Sequence, residues 1–227
     1  MTHTEAFAGH RRLALVYRGP ASQPGCPEAV AGLLASARWN LDVRFTGPDE
    51  ALPLTARTLS HAALYAQPGG GTLSSAYRRL RRQRRAVRDF VHRGGSYLGF
   101  CLGGYLAGAT PGFGLLPGDT DQYIASPGAT VDDERDTVIQ VTWRGRPRTV
   151  FFQDGPLFVL DENADARILA TYDNGAAAAL VTRYGHGRVA VTGPHPEATA
   201  DWYTDHGLPI QHTLDLAEEL VEAVMRE

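Results

Sequence analysis

Ser96-Tyr97-Leu98-Gly99-Phe100-Cys101-Leu102-Gly103-Gly104-Tyr105 decides the fold: a short apolar run closes on a cysteine, with glycines crowding it on both sides. A continuous apolar run of this length marks a strand buried on both faces of a parallel sheet. A cysteine on the tight turn from such a strand into a helix is lifted out of the sheet. Small neighbours then let a substrate carbonyl and backbone N–H groups approach it. Downstream, Val189-Ala190-Val191-Thr192-Gly193-Pro194-His195-Pro196-Glu197 is another apolar strand, ending in a histidine with a carboxylate two residues on. A thiol nucleophile needs a base, and the base needs an acceptor to orient it, so Cys101, His195 and Glu197 are the candidate catalytic residues.

Around these two strands the first half alternates strand and helix, as a parallel sheet requires. Leu13-Ala14-Leu15-Val16-Tyr17 reads as a buried strand, Pro27 opens a helix to about Arg38, and Leu41-Asp42-Val43-Arg44-Phe45 and Ala63-Leu64-Tyr65-Ala66 are the second and third strands. After Gln67-Pro68-Gly69-Gly70-Gly71, apolar residues at Leu73, Tyr77, Leu80, Val87 and Phe90/Val91 predict one long helix capped by Gly94-Gly95. Residues 110–135 are rich in Pro, Gly and Asp and predict a loop. Short strands are expected at 137–143, 149–152, 168–172, 178–184 and 188–192, the last two joined by Gly185-His186-Gly187 as a hairpin, and an amphipathic helix closes the chain over 213–225.

Ligands of an open parallel sheet bind outside the carboxyl ends of its strands. Gly19, the glycines 69–71, Cys101 and His195 all fall at that edge. Backbone N–H groups of Gly70, Gly71 and Leu102 are the candidate oxyanion hole, and the start of the following helix together with His195 favours a thiolate at Cys101. Asp119-Thr120-Asp121-Gln122-Tyr123 and Gln153-Asp154-Gly155-Pro156 are expected as loops able to reach over the pocket.

Composition narrows the function classes. A chain of 227 residues fits one α/β domain, 1–227, and a domain of that size buries roughly 70% of its unfolded surface. Net charge is −3, which calls for neither nucleic acid nor an acidic membrane. All 22 basic residues are Arg, which excludes a lysine Schiff base and a P-loop lysine. Two cysteines are too few for a disulfide scaffold, residues 1–12 lack the apolar core of a signal peptide, and no run approaches a membrane span, so a cytoplasmic protein is expected. Cys26, between Gly25 and Pro27 at a helix start, is read as an ordinary helix residue, although the dipole there lowers a thiol pKa and a redox pair with Cys101 is the alternative.

The arginines at 78, 79, 81, 82, 84, 85, 88 and 93 carry no interleaved aromatic platform and read as a solvated or protein-docking face rather than a nucleic-acid surface. His3, His10, His61, His92, His186, His206 and His212 show no metal-ligand spacing. Neither a metal nor an organic cofactor is expected.

Gly99-Phe100-Cys101-Leu102-Gly103-Gly104 and His195-Pro196-Glu197 resemble the nucleophile elbow and His-Pro-Glu end of class I glutamine amidotransferases. Gln67-Pro68-Gly69-Gly70-Gly71 and the Cys-x-Gly-Gly-Tyr form of the elbow are more similar to the family named after the N-terminal domain of biotin-protein ligases. The resemblance implies a flavodoxin-like three-layer sandwich with a mostly parallel central sheet, and a Cys101-His195-Glu197 triad. Class I amidotransferases usually carry a glutamine four residues after the cysteine, where this chain has Tyr105. The sequence holds neither a synthetase domain nor a biotin-ligase catalytic domain.

The expected function is therefore that of a cysteine-dependent amidase or amidotransferase-like hydrolase. It would act on a small-molecule amide or acyl substrate, with Tyr105 at the substrate and a protein partner or acceptor enzyme as a possible recipient. A catalytically silent small-molecule or protein-binding module of the same fold is the alternative.

Overall fold

The computed structural model describes residues 11–225. The expectations that touch His3, His10 and most of residues 1–12 lie outside that range. The first half runs β1 (Arg12–Tyr17), α1 (Cys26–Leu34), β2 (Leu41–Thr46), α2 (Ala56–Leu59), β3 (Ala62–Gln67), α3 (Leu73–Leu80), α4 (Arg84–His92), β4 (Ser96–Phe100) and α5 (Leu102–Ala107). The second half adds β5 (Gly118–Gln122), β6 (Thr137–Trp143), β7 (Arg146–Phe152), β8 (Pro156–Leu160), β9 (Ala166–Tyr172), β10 (Ala177–Tyr184), β11 (Gly187–Thr192), α6 (Ala200–Asp205) and α7 (Leu214–Met225).

The main path of the sheet is β2-β1-β3-β4-β11-β10-β9-β6-β7. Its first five strands pair in parallel. Beyond β11 the pairing turns antiparallel, and β5 and β8 form a side ribbon joined to β10. Alternation along the parallel strands feeds two cores. Ala14, Val16, Leu64, Ala66, Leu98 and Phe100 face one side, packed with Val30 and Leu34 of α1 and Leu220 and Val221 of α7. Leu15, Tyr17, Tyr65 and Tyr97 face the other, packed with Leu80, Val87, Val91 and Leu106. Helices on both faces of a central parallel sheet make the three-layer sandwich that the strand–helix alternation requires. Each fully buried Leu or Phe contributes about 1.5–3 kcal/mol to holding those layers together.

Four local expectations are corrected. The predicted long helix is two, α3 and α4, separated by Arg81–Gln83. Its apolar stripe lapses there: Gln83 and Arg84 stand where a continuous helix would need apolar residues, so nothing holds the second helix to the axis of the first. The first helix stops at Leu34 and is followed by a single 3-10 turn, Ala37–Trp39. The segment 110–135 is not all loop, because Gly118–Gln122 is a strand pairing antiparallel with β8. Its polar residues give no period-two hydrophobic signal; pairing with β8 and side-chain bonds of Asp119 and Gln122 hold it. Pro156, expected as part of a loop, opens β8.

The arginine-rich segment spreads over both helices rather than one. Arg88 donates to the carbonyl oxygen of Phe113 at 2.7 Å, while Arg85 pairs with Asp89 at 3.7 Å and is otherwise in solvent. Among the described residues no helix is long and apolar enough to cross a membrane.

Candidate active site

Parallel register sets the site. Thr192 of β11 lies opposite Phe100 of β4, and Gln67 of β3 lies opposite Gly99, so the three strands end level. The residues after those ends, Gly69, Cys101 and His195, therefore meet at one edge of the sheet. The N–H of Cys101 donates to the Thr192 carbonyl at 2.9 Å, and Cys101 leaves the strand with φ of 47° and ψ of −103°. A non-glycine residue in that region costs of order 1–3 kcal/mol and persists only where its surroundings hold it.

Glycines hold it here. A methyl group at Gly103 would overlap the Gln67 carbonyl oxygen, and one at Gly99 would lie 2.5 Å from the Gly103 carbonyl oxygen. Both must be bare for α5 to fold back over β3 and β4. The buried Tyr97 hydroxyl donates to that Gly103 carbonyl at 2.7 Å and pins the turn. Gln67 is itself fixed, accepting from the Tyr65 hydroxyl at 2.7 Å and donating to the Ala21 carbonyl at 2.9 Å.

His195 sits in a short bridge after β11. Its N–H donates to the Phe151 carbonyl at 2.8 Å, and the ring is walled edge-on by Trp202, with ring centroids 5.3 Å apart, and by Phe151 at 6.0 Å. Nδ1 lies 2.8 Å from Oε1 of Glu197, and the two side chains are 3% and 0% exposed. Burial alone would drive proton off the imidazole. The neighbouring Glu197 carboxylate and Cys101 sulfur outweigh it and raise the ring's pKa to about 10. With Nδ1 committed to Glu197, Nε2 is left for the nucleophile. A methyl at Gly69 would stand 3.4 Å from both that nitrogen and the Cys101 Cβ.

Cys101 and His195 lie where two cavities adjoin. Cys101, Gly70, Gly71, Leu102 and Tyr105 line one of about 580 Å3. His195, Cys26, Phe151 and Trp202 line the other, of about 440 Å3. Gln23, Gly70 and Gln153 border both. The sulfur of Cys101 lies 3.5 Å from the Gln153 carbonyl oxygen, the acceptor for its S–H in this arrangement. Six of the seven residues expected at the site line these two cavities, and the seventh, Glu197, stands behind His195 and lines neither.

Asp119 lies off the pocket, accepting from the N–H groups of Ala109 and Thr120, while Asp121 and Gln122 of β5 and Gln153 and Asp154 line the Cys101 cavity. Gln122 donates to Asp154 at 2.9 Å. Tyr105 packs beside Asp154, and burial pushes the Asp154 carboxyl pKa up.

Cys26 differs from the helix-dipole expectation. Burial pushes its thiol pKa up, and Glu197 and Cys101 add to that. Both cysteines are free. Gln23 and Trp202 were not singled out from the sequence. Gln23 sits in the loop after β1 at the edge where ligands bind, a positional signal, but nothing local marks Trp202, which reaches His195 only through the tertiary fold.

Comparison with known proteins agrees with this architecture. Residues 14–120 match the family described as biotin-protein ligase, N terminal. Biotin-protein ligase of Schizosaccharomyces pombe is 31% identical over 167 residues, covering 61% of this chain and 26% of that protein. The match thus spans about a quarter of that relative. A glutamine amidotransferase crystal structure superposes with a TM-score of 0.63 at 15% identity, over 93% of this chain and 98% of that one. A ThuA-like protein from Bacteroides uniformis gives 0.58 at 11% identity, over 99% and 94%. The likeness to the biotin-protein ligase N-terminal family and to the glutamine-amidotransferase fold therefore stands on sequence and on structure.

Proposed function

We propose that this chain, with a biotin-protein ligase N-terminal signature on a glutamine-amidotransferase-like fold, is a cysteine-dependent amidase or amidotransferase-like hydrolase. One observation carries the reading: a buried His195–Glu197 pair at 2.8 Å, placed against a cysteine in a strained elbow at the floor of a cavity. Cys101 gives its proton to Nε2 of His195, and its sulfur attacks the acyl carbon. N–H groups of Gly70, Gly71 and Leu102 receive the oxyanion, and such donors are worth about 3–4 kcal/mol each in acyl transfer. His195 returns the proton to the leaving amine, and water, or an acceptor, releases the acyl group from sulfur. The raised pKa of His195 supports the first step, because the ring retains a proton it takes from the thiol.

A binding module that performs no chemistry is the second reading. It is favoured by the Cys101 sulfur facing the Gln153 carbonyl and by Tyr105 packed beside Asp154. Intact-mass analysis after exposure to a panel of amides, nitriles and glutamine analogues separates the two. The enzyme reading expects a covalent adduct that Cys101→Ala abolishes, and the binding reading expects none.

A further inference from the structure

Arginines are distributed unevenly over the described residues. Among those residues no arginine lines either cavity at Cys101 and His195. Asp121, Glu134 and Asp154 border the Cys101 cavity, and Asp136, Asp201 and Asp205 border the one beside His195. At the opposite edge of the sheet a cavity of about 680 Å3 shows the reverse, with Arg12, Arg93, Arg183 and Arg188 against one carboxylate, Asp89.

Among the described residues none of Asp121, Glu134 and Asp154 is in an ion pair; on the His195 side the His195 ring is paired with Glu197 at 2.8 Å, and His206 lies 3.4 Å from Asp136. Asp154 is partly buried and already oriented by the 2.9 Å bond from Gln122, with the Tyr105 hydroxyl nearby. Glu134 lies close enough for its charge to disfavour ionisation of Asp154. Two neighbouring carboxylates without a cation repel each other until a cation sits between them. An anionic group placed beside Asp154 and Glu134 would meet repulsion from both.

We propose that the pocket selects its acyl substrate by positive charge: the substrate carries an ammonium or guanidinium group, received by Asp154 and Glu134 beside Tyr105 while its carbonyl reaches Cys101. This rests on Cys101 being the reactive thiol. The polar uncharged lining of Gln23, Thr72, Ser74, Thr110 and Thr120 suits hydroxyls or amides on the remainder of the molecule.

Three small methanethiosulfonates test it on the full chain: 2-aminoethyl (cationic), 2-sulfonatoethyl (anionic) and methyl (neutral). Rates at Cys101 are read by peptide mass spectrometry and normalised to a free thiol. The expected cation-to-anion ratio is at least about tenfold above that of the free thiol at low salt, collapsing at high salt. It also falls in Asp154→Asn and Glu134→Gln, each ratio being internal to its own variant.

A ratio no greater than that of the free thiol, with rapid neutral labelling, overturns charge selection and leaves the reactive-thiol reading standing. A ratio unmoved by both salt and the substitutions also overturns it. Failure of all three reagents to label Cys101 removes both.

Discussion

A methyl group at Gly69 would lie 2.5 Å from Cε1 of His195 and 3.4 Å from Cβ of Cys101, so the first glycine of the triplet keeps open the seat where base and thiol meet. Its backbone is not left-handed, so alanine is excluded by the imidazole rather than by conformation. Gly69→Ala is expected to push the ring aside and to slow alkylation of Cys101 at least about tenfold, since displacement of reacting groups by an ångström is that costly. Overpacking should cost about 1–3 kcal/mol of stability in urea melts. An unchanged alkylation rate in a folded variant contradicts the assignment of His195 as the base.

Gly103 answers to a different neighbour. Its missing side chain faces the Gln67 carbonyl, which is part of the sheet and has no room to withdraw. Gly103→Ala should therefore destabilise by about 1–3 kcal/mol or more through overpacking against backbone. Gly71→Ala, with open space around the site but φ of +84°, should lose only about 1–2 kcal/mol from left-handed strain. Equal melting temperatures for wild type and Gly103→Ala would mean that the elbow is not packed as described.

Buried imidazolium at His195 links stability to pH. Its pKa is raised from 6.5 to about 10, so its contribution is complete below 6.5 and is lost as pH rises through about 10. Between those values the folded ring holds a proton that the unfolded ring has released, and with Cys101→Ala in place that proton comes from solvent rather than from the thiol. Urea unfolding of Cys101→Ala across that window should show stability falling with pH, with this component absent from the double variant Cys101→Ala/His195→Gln. Parallel pH profiles for the two proteins would show the ring to be neutral in the folded state.

Glu197 is the orienting acceptor, and its second carboxylate oxygen, Oε2, is buried without a hydrogen-bond partner. Glu197→Gln keeps the shape and removes the charge. It should lower any turnover or adduct formation by up to roughly 10,000-fold, the loss seen when a catalytic base loses its orienting carboxylate. The acidic limb of the pH–rate profile should also move to lower pH as the His195 pKa drops. A variant with wild-type rate and profile would leave Glu197 a purely structural role.

Much of this arrangement was legible in the residues because the signals are local. Ser96–Phe100 and Gly187–Thr192 are nearly unbroken apolar strands that end in unusual residues, and parallel pairing makes those ends coincide. The break between α3 and α4 was hidden because Leu80 and Val87 stand seven residues apart, a spacing that one continuous helix satisfies as well as two. β5 escaped because Asp119, Thr120 and Asp121 show no apolar alternation, and pairing with β8 alone makes them a strand. The thiol of Cys26 follows burial rather than the helix start it occupies, and burial is a property of the packed molecule. Trp202, which walls the base, comes from a six-residue helix whose sequence carries no catalytic pattern.

The central claim is that Cys101 is an activated nucleophile. It is tested most directly by alkylating the native chain with iodoacetamide at neutral pH and following Cys101 and Cys26 separately by peptide mass spectrometry. His195 beside Cys101 and the raised pKa of Cys26 predict labelling of Cys101 faster by about 100-fold or more, and slowed by His195→Gln. Equal, slow labelling of the two cysteines would contradict the enzymatic account and leave the fold as a binding module.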